Sequence, residues 1–140
     1  MTDLLKRAAA TQACMDRFAF KPLTPEVHCA RPAAMAMHRM GRSAKLLNGC
    51  KGKSWPAVLK YVRGLGFKDL VELMDATGLK RIAPAAALPG DIIALPVGED
   101  DAFGCSLAVA LDNGRVLAAN AATGLIEPMV PHLFVCAWRV

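Results

Sequence analysis

The sequence predicts a single α+β domain in which helices come first and a mostly antiparallel sheet follows. Its 140 residues are the usual length of one domain. Apolar residues recur at helical spacing as far as about residue 79, whereas short runs rich in branched residues follow from residue 80. We therefore expect one domain over residues 1–140, with a helical half (1–79) and a sheet half (80–140) of about five strands.

Capping residues and prolines position the first two helices. Thr2 can cap a helix that begins at residue 3 and reaches about residue 18. Pro32 is tolerated only in the first turn of a helix, so the second helix begins near His28 or Cys29. Its small apolar residues predict burial, and Gly41 ends it. We therefore expect Cys29 in the first turn of a buried helix that faces the strand starting at Asp91.

The later helices and the strands follow from similar signals. Ser54 caps a third helix that reaches about residue 63, and a fourth helix ends at Gly78. Asn113 and Gly114 favour the positive φ angles of a type I′ turn, which predicts a hairpin. The expected strands lie at residue 82 and at residues 91–96, 103–111, 115–120 and 133–140.

Composition excludes several classes of protein. Hydrophobic residues make up 54% of the chain and charged residues 21%, which is typical of a packed globular domain and excludes a disordered one. The longest apolar runs fall far short of the roughly 20 residues that a membrane-spanning helix needs. Residues 1–7 lack the apolar segment of a secretory signal, so we expect synthesis in a cytoplasm.

The five cysteines argue against a cross-linked or metal-bound framework. Their number is odd, they are widely spaced, and none forms a C-x-x-C pair. Most of them are expected to be small buried residues in a reducing compartment. A cluster site assembled from distant cysteines is the alternative, but no local pattern supports it, so we expect no metal site and no cofactor.

Basic residues concentrate between residues 31 and 63, and the formal net charge is +5. Such a face can contact phosphates, anionic cell-wall polymers or an acidic protein, and the plainer interpretation is a solvated helix surface. No aromatic residues alternate with these charges and no nucleic-acid motif accompanies them, so nucleic acid is not an expected partner.

Cys29 is the residue with the clearest catalytic rationale. Unpaired amides and the dipole at a helix N-terminus stabilise a thiolate, which is the nucleophilic form of cysteine. A nucleophile also needs a general base. His28 is expected to point away from Cys29 along the helix, His38 lies more than two turns on, and His132 precedes the last strand. We therefore expect no imidazole within hydrogen-bond reach of the sulfur, and a packed structural cysteine is the alternative role for Cys29.

The order of several short motifs between residues 18 and 140 is typical of one family. These motifs are an aromatic opening (Phe18, Phe20), His28 and Cys29, a small-residue helix (Ala33, Ala36, Gly41), a Gly-Asp strand start (Gly90, Asp91), the turn at residues 112–114, and a final Ala137, Trp138 and Arg139. With this order and spacing, the chain resembles a family of small phage and prophage tail-gene proteins. That family is related to the NlpC-like branch of the papain-like cell-wall cysteine peptidases. The resemblance implies a papain-like α+β fold.

The departures from this resemblance concern catalysis. In active relatives, the resemblance places a nucleophile at Cys29 and a histidine at the start of the strand after the Gly-Asp motif. Ser106 occupies that histidine position, or Cys105 if the register slips by one, and neither is a base near neutral pH. The third, polar position falls near residues 116–119, which are apolar. His28 also replaces the aspartate usual before the cysteine. The resemblance therefore implies a degenerate peptidase, with Cys29 a vestigial nucleophile.

Two functions follow from the resemblance. The first is a non-catalytic structural component of a tailed-phage or prophage tail tip or baseplate, made in the host cytoplasm, carried in the virion tail, and docked on other tail proteins. The alternative is an active cysteine peptidase or amidase that cuts peptidoglycan stem peptides during DNA entry. A free-standing cytosolic protein that binds a small molecule in the vestigial cleft is a third possibility.

The apolar content predicts an interface. A mean hydropathy of +0.32 indicates more apolar surface than one small core covers, because small domains bury a lower fraction of their surface. Residues 82–88 and 125–134 are the expected interface segments. Packing of both segments beneath neighbouring loops is the alternative.

Overall fold

The computed structural model describes residues 3–140 and confirms the α+β class. Its α-helices in this range are α1 (Asp3–Phe18), α2 (Ala30–Arg39), α3 (Lys45–Asn48), α4 (Trp55–Gly64) and α5 (Leu70–Asp75). The predicted cap at Thr2 lies outside the described residues. The sequence did not predict α3, because four residues are too few to establish a helical period.

The strands form one sheet, and it is larger than predicted. Its strands are β1 (Lys21–Pro22), β2 (Lys80–Ile82), β3 (Ile92–Leu95), β4 (Ser106–Ala110), β5 (Val116–Asn120), β6 (Leu125–Met129) and β7 (Cys136–Arg139). They are arranged as β1-β6-β5-β4-β3-β7-β2, and every neighbouring pair is antiparallel. The expectation of about five strands was therefore wrong, since the sheet has seven strands within residues 3–140.

The two additional strands, β1 and β6, each contain a proline, and for this reason they were not among the predicted strands. β6 carries Pro128, which pairs with Leu117 of β5. β1 contains Pro22 and pairs with the first two residues of β6, at the edge of the sheet. Proline lacks an amide donor and is tolerated where a strand has an unpaired side. Because β1 comes from residues 21–22, the predicted boundary at residue 79 does not separate the helices cleanly from the sheet.

Two local predictions agree with the structure. The Ser54 side chain accepts a hydrogen bond from the Ala57 amide (3.2 Å), so it caps α4 as expected. Asn113 and Gly114 adopt φ angles of 55° and 73°, which are those of a type I′ turn between β4 and β5.

Both faces of the sheet are covered. On one face, alternate strand residues such as Ile92 and Leu107 pack with Met37 of α2 in the main core. On the other face, Ile93, Ala108 and their neighbours form a smaller cluster against which Ile82 and Ala87 pack. Ile82 belongs to the sheet itself, so Ala87 is the residue that helps to cover the second face, while Leu88 beside it is 44% exposed.

A buried carboxylate, that of Asp91, connects the first helix to the last strand. Asp91 is fully buried and accepts a hydrogen bond from Arg7 of α1 at 2.8 Å. It also forms an ion pair with Arg139 at 3.0 Å and accepts from the amides of Leu88 and Val140. Because a buried charge is tolerated only when paired, this network fixes α1, the 84–91 segment and β7 to one another.

Apolar side chains are exposed along one loop. Val130, Leu133, Phe134 and Val135 are between 45% and 70% exposed. Most of them lie within the predicted interface segment at residues 125–134. Within residues 3–140, no helix has the length and apolar content to cross a bilayer.

Candidate functional site

A cavity of about 440 Å³ lies where the start of α2 meets β4 and β5. Cys29 and Ser106, the two candidate site residues, both line it, and so does His28. Trp55 and Phe103 contribute an aromatic wall, with their ring centroids 6.2 Å apart. The fold therefore brings the two predicted positions to one site.

Cys29 is the N-cap residue of α2, which is the helix terminus where the sequence predicts it. Its side chain is half-buried, whereas the four other cysteines are buried, and all five are free thiols. Its surroundings differ from the prediction. The sulfur lies against Ser106 and Leu107 of β4, whereas the prediction placed it opposite the strand that follows Asp91. In the sheet, β4 lies next to β3, so the site is one strand removed from its predicted position.

The predicted absence of an imidazole near Cys29 was wrong. His28 Nδ1 lies 3.9 Å from Cys29 Sγ. The prediction assumed that His28 follows the helical path, where successive side chains diverge. In the structure α2 begins only at Ala30, so His28 precedes the helix and its ring turns back to accept the Ala30 amide at 3.3 Å.

Hydrogen bonding fixes the tautomer of His28. Its Nε2 lies 2.7 Å from the carbonyl oxygen of Cys50, which can only accept, so Nε2 carries the proton and Nδ1 is the acceptor facing Cys29. Burial lowers the pKa of the imidazole; the bond to Cys50 acts in the opposite direction, and the charge of Arg31 lowers the pKa further. His28 is therefore a neutral imidazole near pH 7.

Cys29 is a protonated thiol in this environment. Its pKa is raised mainly because burial penalises the thiolate, while the Leu107 backbone, the Ser106 hydroxyl and its own backbone oppose that shift. Ser106 Oγ is shielded from solvent and makes no hydrogen bond of normal geometry among the described residues. The site thus pairs a neutral thiol with a neutral imidazole and presents a hydroxyl at the start of β4.

The rest of the lining is largely apolar. Leu23, Leu70, Leu95, Val97 and Met129 contribute to it, and Asp101 adds one carboxylate. Sequence reasoning missed Trp55 and Phe103 as site residues. The Ser54 cap was the available signal for Trp55, because it places that residue at the first position of α4. Within residues 3–140, no cluster of three or more histidine, cysteine or acidic side chains is arranged to hold a metal ion.

The thiols should differ sharply in reactivity. We expect a chromogenic disulfide reagent to modify one cysteine of the native protein, Cys29, because the other four are buried. The reaction at pH 7 should be slower than that of a free thiol and should accelerate through pH 9, since the pKa of Cys29 is raised. Cys29→Ser should abolish the signal. Rapid labelling of Cys29 at pH 6 would contradict the protonated state.

Comparison with known families gives one result. Residues 4–140 match a family described as "Domain of unknown function (DUF6950)". No curated protein matches the chain, and no solved structure does. Since the match extends over nearly the whole sequence, the chain belongs to the DUF6950 family.

Proposed function

We propose that this domain is a non-catalytic structural component of a tailed-phage or prophage tail tip or baseplate, built on a degenerate papain-like fold of the NlpC type. It is made in the host cytoplasm and acts in the virion tail by docking on other tail proteins. The phage context rests on the motif order between residues 18 and 140. The absence of catalysis rests on the geometry around Cys29.

One observation carries the non-catalytic part of the proposal. The side chain that β4 presents to the Cys29 sulfur is the hydroxyl of Ser106, at the position where the resemblance requires a catalytic histidine. A serine hydroxyl is not a base near neutral pH, and the raised pKa of Cys29 keeps its thiol protonated. A cysteine at a helix N-terminus opposite the first residue of a strand supports the papain-like assignment.

The exposed apolar loop supports docking. Val130, Leu133, Phe134 and Val135 lie close together in sequence and are each at least 45% exposed. Exposed apolar clusters of this kind are typical of protein–protein contact surfaces.

Genetic complementation in a tailed phage that encodes this domain tests the proposal. Deletion of the gene should leave particles without a functional tail. Both the wild-type chain and Cys29→Ala should restore infectivity, whereas Leu133→Asp with Phe134→Asp should not. Infectious particles formed without the protein would overturn the structural role, and so would a failure of folded Cys29→Ala to complement.

A cysteine hydrolase remains the second candidate because of one contact. His28 Nδ1 lies 3.9 Å from Cys29 Sγ and Nε2 is anchored on the Cys50 carbonyl, so Nδ1 could accept the thiol proton once its 3.3 Å contact with the Ala30 amide opens. Sulfur would then attack an amide carbonyl of a peptidoglycan stem peptide. The new C–S bond would replace the C–N bond, the imidazolium would protonate the departing amine, and water would release the acid.

Purified protein distinguishes the two candidates. The structural proposal expects no release of new amino groups from peptidoglycan fragments between pH 5 and 9. Cleavage that disappears in both Cys29→Ala and His28→Gln, with folding intact, would favour the hydrolase and overturn the non-catalytic role. Ser106→Ala is the matched control, since neither candidate gives its hydroxyl a proton to transfer.

A further inference from the structure

A second cavity, of about 580 Å³, lies between α1 and α2 and is separate from the Cys29 site. We call it the basic cleft, and its polar lining consists of Arg17, Arg31, His38, Arg39 and Asn48. Its remaining lining residues are Phe18, Ala34 and Met35, so no carboxylate faces the cavity.

Helix packing creates this arrangement. Cys14 and Phe18 of α1 share a buried cluster with Ala36 of α2, which holds the two helices together. Arg31 and His38 are seven residues apart on α2 and therefore lie on one helix face. Arg17 faces them from the last turn of α1. Three guanidinium groups thus border one hollow from two helices.

These charges lack acidic partners. Of the ion pairs within residues 3–140, none involves Arg17, Arg31 or Arg39. Arg31 donates only to the backbone oxygen of Glu26 at 3.2 Å, and Arg17 lies over the ring of Phe18. Asp16 lines an adjacent hollow together with Arg17 and Arg39, and its carboxylate accepts a hydrogen bond from Gln12 there. The cleft is therefore a concave site with a net positive charge, since three arginines line it and one carboxylate lies nearby.

We propose that the basic cleft binds a small anion with several phosphoryl groups, such as an oligophosphate. Each guanidinium offers a planar fork of donors that matches phosphoryl oxygens, and an anion with several charges is needed to satisfy three such groups at once. A monocarboxylate would leave most of that charge unmatched. Phe18, which also lines the cleft, is buried, and the exposed ring in the lining is the single imidazole of His38, so the lining offers no row of aromatic side chains for successive nucleic-acid bases.

Titration calorimetry with inorganic tripolyphosphate at low ionic strength tests this site. Wild-type protein should bind one equivalent saturably. Arg17→Gln with Arg39→Gln should weaken binding about tenfold or more, because each lost guanidinium removes charge-assisted hydrogen bonds. The control is Lys60→Gln with Arg63→Gln on α4, which removes the same charge from exposed positions outside the cleft and should change affinity by less than about twofold.

Nuclear magnetic resonance gives a second readout at the two histidines. The resonances of His38 should shift on saturation, because its ring lines the cleft. The pKa of His28 should rise, since a bound anion offsets the charge of Arg31 that lowers it. The proposal would be overturned if tripolyphosphate did not bind saturably, or if both double variants lost the same affinity for it. Tighter binding of a single-stranded oligonucleotide of equal charge would overturn it as well.

Discussion

Asp91→Ala should lower the free energy of unfolding by about 3–5 kcal/mol, because it leaves Arg7 buried without its main counter-charge. Arg7 is only 4% exposed, and its other carboxylate partner, Asp3, is 66% exposed at its side chain. The variant also removes the acceptor for the Leu88 and Val140 amides. Urea denaturation at pH 7, followed by circular dichroism, measures the loss.

Two comparisons make the Asp91 prediction specific. Asp112→Ala removes a carboxylate from an exposed pair with Arg115 and should leave the urea midpoint nearly unchanged. Arg7→Leu should cost less than Asp91→Ala, because Asp91 keeps its ion pair with Arg139. If Asp91→Ala proved as stable as Asp112→Ala, the buried network would not hold the helices to the sheet.

Trp138→Ala should lower the free energy of unfolding by about 3–5 kcal/mol through loss of packing in the main core. Trp138 is fully buried on β7, and its strand pairs with both β2 and β3. The indole N–H donates to Asp75 at 3.0 Å, and the guanidinium of Arg81 lies 5.4 Å from the ring centroid. Urea denaturation followed by circular dichroism measures the change.

Two further replacements separate the contribution of the Trp138 hydrogen bond from that of its packing. Trp138→Phe keeps most of the packing but removes the hydrogen bond to Asp75, so we expect a loss of about 1–2 kcal/mol. Trp55→Ala should cost less than Trp138→Ala because Trp55 is 42% exposed. Comparable destabilisation by Trp55→Ala would contradict this, because it would show that the aromatic wall of the cavity contributes as much to stability as the Trp138 core.

Local signals predicted those parts of the fold that depend on neighbouring residues. The Ser54 cap and the turn at Asn113 are examples, because each is decided by backbone preferences within a few residues. The sequence did not predict β6, because Pro128 is unfavourable within a strand and the pairing of β6 with β5 depends on tertiary contacts. The pairing of residues 21–22 with β6 had no local signal at all.

At the candidate site, too, local features were predicted correctly and features that depend on tertiary packing were not. Sequence reasoning placed Cys29 at a helix N-terminus because Pro32 limits where α2 can begin. It failed for His28, because a shift of the helix start by one or two residues reverses the direction of that ring. The meeting of Cys29 with Ser106 depends on how α2 packs on β4, which no local pattern encodes.

The position of β7 within the sheet has a consequence for synthesis. β7 lies between β3 and β2, although both of those strands precede it by about 40 residues or more in the chain. Since β2 pairs with β7 alone, it has no sheet partner while residues 136–139 are still inside the ribosome. The helices and most strands therefore emerge before the sheet can close, and Trp138 completes the core only after residues 136–139 have left the ribosome.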